Sequence, residues 1–258
     1  MSIELTGKVT GSVSTHTPES LQKVFNKSFT CFMQPDGTLF EGLLEDVTDG
    51  AAKRPVVIFI HGSSGINPAT RLFGERLARQ GHAFVAPDSM QTPDRLAYSS
   101  PVAREVYEKI HRMRYDELQY AVSQLNSLPF FDGRWVIAGT SEGAVSVARF
   151  INTTPNKEAG RLIFSWSCEN NYHVTEHASH IPLDCPVMNI MSADDPYFST
   201  KNPYLDCPGA LGYAKEALKD HTDAAIVLLP GAPHTLFNLP QAASLIEAFL
   251  DRVTGRKG

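Results

Sequence analysis

Trp135-Val136-Ile137-Ala138-Gly139-Thr140-Ser141-Glu142-Gly143, followed by Ala144 to Ile151, is the stretch on which the fold turns. A short, unbroken apolar run ends in a serine flanked by glycine on either side. A helix-compatible segment comes next. Continuous apolar runs of this length suit strands buried on both faces, as a parallel sheet requires. A serine held on a sharp turn between strand and helix needs small flanks. Such a turn exposes the hydroxyl above the sheet, with a helix N-terminus beneath it to stabilise developing negative charge. Ser141 is therefore a candidate nucleophile; the alternative is a purely structural turn.

Working outward, similar apolar runs recur at Val56–Ile60, Ala83–Ala86, Leu162–Phe164, Val187–Met191 and Ala225–Leu229. Helical patterns fill the gaps. Asn67-Pro68 reads as an N-cap with a first-turn proline, and Gly81 as a helix stop. Leu118, Ala121, Val122 and Leu125 share one helical face, as do Leu245, Ile246, Phe249, Leu250 and Val253. Strand and helix in alternation predict an α/β fold, a mostly parallel central sheet with helices on both faces. Ser28–Gln34 and Thr38–Leu44, joined by Pro35-Asp36-Gly37, predict an antiparallel hairpin at one edge. Residues 1 to 25 carry little pattern. With no repeat and no linker, residues 1–258 read as one domain. Within it, 89–132 is a possible lid or cap insertion, with an extra helix over Tyr98–Met113 that serves either core packing or a lid.

In such a sheet the ligand site lies at the carboxyl ends of the strands, so each run is followed to its end. A serine hydroxyl needs a base to take its proton. After the last run comes Gly231-Ala232-Pro233-His234, which makes His234 the candidate base. The base needs a carboxylate to fix its tautomer. Ser192-Ala193-Asp194-Asp195-Pro196 supplies two, and Asp195 is favoured over Asp194 because the segment resembles the pattern of a known α/β enzyme family: a turn residue, two more residues, then the acid, often followed by proline. Serine, acid and histidine then follow in the chain order used by one large class of α/β enzymes. A tetrahedral intermediate needs two backbone donors. These are expected at Glu142 and in the loop His61-Gly62-Ser63-Ser64-Gly65, at Ser63 with Ser64 as the fallback. His61 reads as structural. Trp166, Glu169 and Tyr172 follow another strand end and are candidate substrate contacts.

These loops, the segment Pro87-Asp88-Ser89 and the elbow at Ser141 together resemble the dienelactone-hydrolase-like branch of the α/β-hydrolase superfamily, over roughly Ser28 to Val253. The resemblance implies an α/β-hydrolase fold and ester or lactone hydrolysis of a small substrate without a cofactor. Dienelactone hydrolases carry cysteine as nucleophile; serine at position 141 points to a general esterase-like relative. Acyl transfer or amide cleavage by the same residues, and a non-catalytic binding protein on this scaffold, are the rival readings.

Composition narrows the rest. The net charge of −5 leaves no basic footprint for nucleic acid. No stretch approaches the ~20 apolar residues of a membrane span. Met1–Thr10 lacks an apolar core of signal-peptide type, so a cytoplasmic location is expected. The four cysteines lack metal-type spacing, and free thiols are the default. A Cys168–Cys185 or Cys185–Cys207 bridge is the alternative. His173, His177 and His180 cluster in sequence, but no carboxylate stands at ligand spacing, so no metal is expected. Oligomeric state stays open.

Overall fold

The computed structural model describes residues 4–48, 50–202 and 209–255. Chain order begins with β1 (Val9–Thr10), α1 (Pro18–Asn26), β2 (Phe29–Met33) and β3 (Leu39–Leu43). There follow β4 (Arg54–Ile60), α2 (Pro68–Arg79), β5 (Ala83–Ala86), β6 (Ala97–Tyr98) and α3 (Arg104–Ser123). The second half holds β7 (Phe131–Thr140), α4 (Glu142–Arg149), β8 (Gly160–Phe164) and β9 (Val187–Ser192), then α5 (Lys215–Leu218), β10 (Ala224–Leu229) and α6 (Pro240–Thr254). Eight strands form one sheet in the order β10-β9-β8-β7-β4-β5-β2-β3. From β10 to β5 every pairing is parallel; β2 and β3 are antiparallel at the far edge.

Each central strand divides its side chains between two cores, because successive residues point to opposite faces. Val56, Ile58 and Ile60 pack with Tyr107, Leu118, Val145 and Trp135 on the α3/α4 face. Val57 and Phe59 pack with Phe73, Leu77, Phe237, Ile246 and Phe249 on the α2/α6 face. This is the expected α/β architecture, with helices on both faces and the hairpin at the edge.

Local signals account for several boundaries. Asn67 Oδ1 accepts the Thr70 amide at 3.0 Å, and Pro68 opens α2. Gly81 leaves the helix with φ +78, a conformation costly for other residues. Asn238 does not cap α6. Leu239 takes that position, while the Asn238 amide ties α2 to the loop, donating to the Ala69 carbonyl at 2.8 Å and accepting from Arg76 at 3.1 Å.

Two expectations need correction, and the default of free thiols holds for the described cysteines. The stripes at Val102–Met113 and Leu118–Leu125 belong mainly to a single helix, α3, which begins at Arg104 and packs on α4 and α1. Tyr98 lies on β6, outside it. The last apolar run, β10, is an edge strand: Ile226 and Leu228 are exposed on one of its faces. Cys31, Cys168 and Cys185 are free and buried, which excludes the Cys168–Cys185 bridge; Cys207 lies outside the described residues. Burial pushes the Cys31 thiol up to about 12 and that of Cys185 to about 11, so both are held as inert thiols.

Residues 4–17, unpatterned in sequence, form an arm clipped to the segment 94–101. β1 pairs antiparallel with β6. The amides of Ser12 and Val13 donate to the Asp94 carbonyl, each at 2.9 Å, and the Leu96 amide returns to Val13 at 2.8 Å. Gly7 donates to Pro101 at 2.9 Å. A Cβ on Gly7 would stand 2.0 Å from the Ser99 carbonyl oxygen, so this position excludes any side chain. Gly7→Ala is expected to unclip the arm, raising amide hydrogen exchange at Gly7, Ser99 and Leu96 by about tenfold or more, as a local opening does. Exchange in β4, β7 and β8 should stay as in the wild type. Unchanged protection at Ser99 would contradict the clip.

Candidate active site

Ser141 sits at the junction of β7 and α4 with φ 53 and ψ −120, a backbone state that costs a non-glycine residue about 1–3 kcal/mol. The neighbouring glycines are explained by close approach. A Cβ on Gly143 would lie 2.1 Å from the Ile60 carbonyl oxygen, and one on Gly139 would lie 2.8 Å from the Gly143 carbonyl oxygen. The turn thus presses against the end of β4, where the loop from His61 begins. A Cβ on Gly62 would sit 3.5 Å from the Ser141 Cβ, which measures how near that loop runs to the serine.

His234 follows β10. Its Nδ1 lies 2.8 Å from Asp195 Oδ2. A carboxylate accepts only, so Nδ1 carries the proton and donates, which leaves Nε2 as the free acceptor. Asp195 is fully buried, and its other oxygen accepts the amides of Tyr197 at 2.9 Å and Phe198 at 3.0 Å. Asp194 is turned away: it accepts the Gly231 amide at 3.3 Å and pairs with Lys201. The Ser165 hydroxyl holds the His234 carbonyl, and Tyr197 packs edge-on against the imidazole at 4.6 Å.

Ser141 and His234 line one cavity of about 520 Å³, together with Gly62, Ser63 and Ser64. Glu142 opens α4, where the first amides have no partner inside the helix. Of the three candidate substrate contacts, Tyr172 lines the cavity. Trp166 is buried behind it, edge-on to Phe198 at 5.0 Å. Glu169 is spent on backbone, accepting the amides of Leu211 at 2.7 Å and Gly212 at 2.8 Å.

Other wall residues carried no usable signal in the sequence. Tyr98, Ser99 and Ser100 come from the clipped segment, and Tyr197 and Phe198 from the turn after Asp195. His173 also lines the cavity; Tyr98 Oη lies 3.1 Å from its Nε2, and Tyr107 and Phe198 pack around its ring. His173 does not converge with His177 or His180; His180 instead meets the Arg149 carbonyl at 3.0 Å. Among the described residues no group of three or more His, Cys, Asp or Glu is placed to hold a metal ion. No described helix is long and apolar enough to cross a membrane.

Beneath the site, buried charges and neutral histidines dominate. Burial holds the Tyr98 phenol protonated, with the Glu142 charge adding to the effect. Burial also depresses His61 and His173 well below 6.5, and His111 below it, with Arg114 reinforcing the shift at His61 and His111 reinforcing it at His173.

The family model for the dienelactone hydrolase family matches residues 40–249. The chain belongs to the dienelactone hydrolase family. By that membership it is a hydrolase. Among solved structures it is similar to a putative dienelactone hydrolase from Klebsiella pneumoniae subsp. pneumoniae MGH 78578, at 15% identity and TM-score 0.56 over 81% of this chain and 90% of that one. It is also similar to a Thermus thermophilus protein, at 17% identity and TM-score 0.56 over 81% and 92% of the two chains. Est1E from Butyrivibrio proteoclasticus matches at 14% identity and TM-score 0.54, over 89% of this chain and 100% of that one. At these identities the likeness is one of fold. No curated protein matches the chain.

The depressed histidines make stability fall on the acid side. The unfolded chain protonates them below about 6.5, while the folded chain keeps them neutral. Their contribution is complete above that pH and is lost as pH falls toward the folded values. Each adds a slope of up to about 1.4 kcal/mol per pH unit. The denaturation midpoint is therefore expected to drop between pH 7 and pH 5.5, and His111→Gln should flatten that drop. A midpoint that holds or rises toward pH 5.5 would contradict it.

Proposed function

We propose that the chain is a serine hydrolase that cleaves carboxylic ester or lactone bonds of a small substrate through an acyl-enzyme, acting as a single domain. One observation carries the reading: the His234 imidazole is held by buried Asp195 at 2.8 Å on the wall of the cavity that Ser141 also lines. The tautomer fixed by Asp195 turns Nε2 into the base.

In this mechanism the Ser141 hydroxyl gives its proton to His234 Nε2 and its oxygen attacks the substrate carbonyl carbon. Asp195 stabilises the imidazolium that results. The amides of Ser63 and Glu142 donate to the oxyanion, and the N-terminus of α4 adds its partial positive charge. Collapse of the intermediate expels the alcohol, which takes its proton from His234. Water then repeats the attack on the acyl-enzyme, with His234 again as base, and releases the acid. Each of these groups belongs to the polypeptide, so the route draws on no cofactor.

Ser141→Ala is expected to abolish turnover of p-nitrophenyl acetate with an unchanged melting temperature. A fluorophosphonate probe should add its mass to the wild type and not to that variant. An unlabelled wild type would instead favour a binding protein on a hydrolase scaffold. Asp195→Asn should lower kcat by about four orders of magnitude through the wrong tautomer. Asp194→Asn should stay within a few fold, and a large loss there would reverse the assignment of the acid.

A further inference from the structure

Four charged side chains that the mechanism leaves unused are buried behind the cavity: Arg95, Arg114, Glu117 and Glu142. Two guanidinium groups and two carboxylates balance, as buried charge requires. Arg95 Nη2 donates to Glu142 Oε1 at 2.7 Å, and Arg114 Nε lies 3.7 Å from the same oxygen. Arg114 Nη1 pairs with Glu117, and its Nη2 donates to the His61 carbonyl at 3.0 Å. Ser89 closes the ring: its hydroxyl donates to Glu117 at 2.6 Å and accepts from Arg95 Nε at 2.7 Å.

Arg114 therefore reaches two segments at once. One is the carboxylate of the residue after Ser141, which Arg114 meets as an ion pair at 3.7 Å while Arg95 supplies the hydrogen bond to it. The other is the carbonyl of the residue that leads into Gly62-Ser63. The network continues through the His61 ring, whose Nδ1 donates to the Gly62 carbonyl at 2.7 Å and whose Nε2 accepts the Ser89 amide at 3.1 Å. A guanidinium presents its donors in a rigid planar fork, so it fixes the separation and direction of the groups it joins. An apolar residue of the same volume would fill the space without setting either.

We propose that Arg114, hydrogen-bonded to Glu117 and ion-paired with the Glu142 carboxylate that Arg95 holds, is the positioning residue of the oxyanion site: it holds the loop 61–65 and the first turn of α4 at the spacing a single oxyanion needs. This rests on the reading of the Ser63 and Glu142 amides as its donors. Misplacing either donor by about an ångström costs transition-state binding while leaving substrate binding largely intact.

The test uses Arg114→Lys, which keeps the charge but loses the fork, and Glu142→Gln, which keeps the shape and loses the charge. Substrates are p-nitrophenyl acetate and its thionoester, whose sulfur accepts hydrogen bonds poorly. Expected in both variants is a fall in kcat on the oxygen ester of about ten- to a hundredfold, part of what one lost donor costs. KM should stay within about twofold. The thionoester should lose less, so the oxygen-to-sulfur rate ratio collapses. Amide exchange should rise in residues 62–65 and 142–145 and stay unchanged in β8 and β9. Equal losses on both esters, or unchanged exchange in those two segments, would overturn the proposal and leave the network a packing device. If Arg114→Lys fails to fold, Glu142→Gln decides. A wild type that discriminates between the two esters no better than hydroxide does would sink the oxyanion reading itself, whereas the exchange comparison would still decide whether Arg114 couples the two loops.

Discussion

The contact on which the rest of this molecule depends is the approach of Gly143 to the carbonyl at the end of β4, so close that a Cβ would stand 2.1 Å from the Ile60 oxygen. That contact forces the chain to turn at Ser141 with a positive φ, and it does so at the carboxyl edge of two neighbouring parallel strands. The strain is sustained because β4 and β7 are buried on both faces and cannot yield without opening two cores. The serine hydroxyl, the loop from His61 and the start of α4 are placed together as a consequence.

Around that turn the protein spends polar groups freely in its interior. Asp195 is buried yet has three donors, which keeps it an acceptor aimed at one imidazole. The four-charge network behind Glu142 balances two guanidinium groups against two carboxylates, leaves Arg114 Nε and Glu142 Oε2 without a hydrogen bond, and draws in the His16 ring, 2.9 Å from Glu117. An arm that precedes the family-matched residues is in this way joined to the wall and the floor of the cavity. Such a network adds little net stability over an apolar core, since desolvation offsets most of the attraction. Its use is directional: it sets where two loops stand.

Much of this was legible in the polypeptide. Unbroken apolar runs with helical stripes between them specify a doubly covered parallel sheet, because only that arrangement hides both faces of each strand. The glycines beside Ser141 announce a sharp turn after β7, and the family pattern of the acid segment, with proline after the acid, favoured Asp195 over Asp194. The cavity wall was not legible. Tyr98 reads as the start of a helix, and only its pairing with the arm makes it a strand residue. His173 reads as one of three histidines clustered in sequence, and only the cage of Tyr107 and Phe198 makes it a buried neutral ring. Trp166 and Glu169 stand at a strand end like Tyr172, yet side chains there diverge according to neighbours far away along the chain.

The sequence alone determined the layer order of strand and helix, the turn at Ser141, and the loops that carry Asp195 and His234. These follow from periodicity and from the steric demands of glycine and proline, which act over a few residues. The tertiary structure alone decided which residues wall the cavity, and that Arg114 of α3 reaches both the loop from His61 and the first turn of α4. Those depend on distances between residues dozens of positions apart, and such distances exist only once the sheet has closed and its cores have packed.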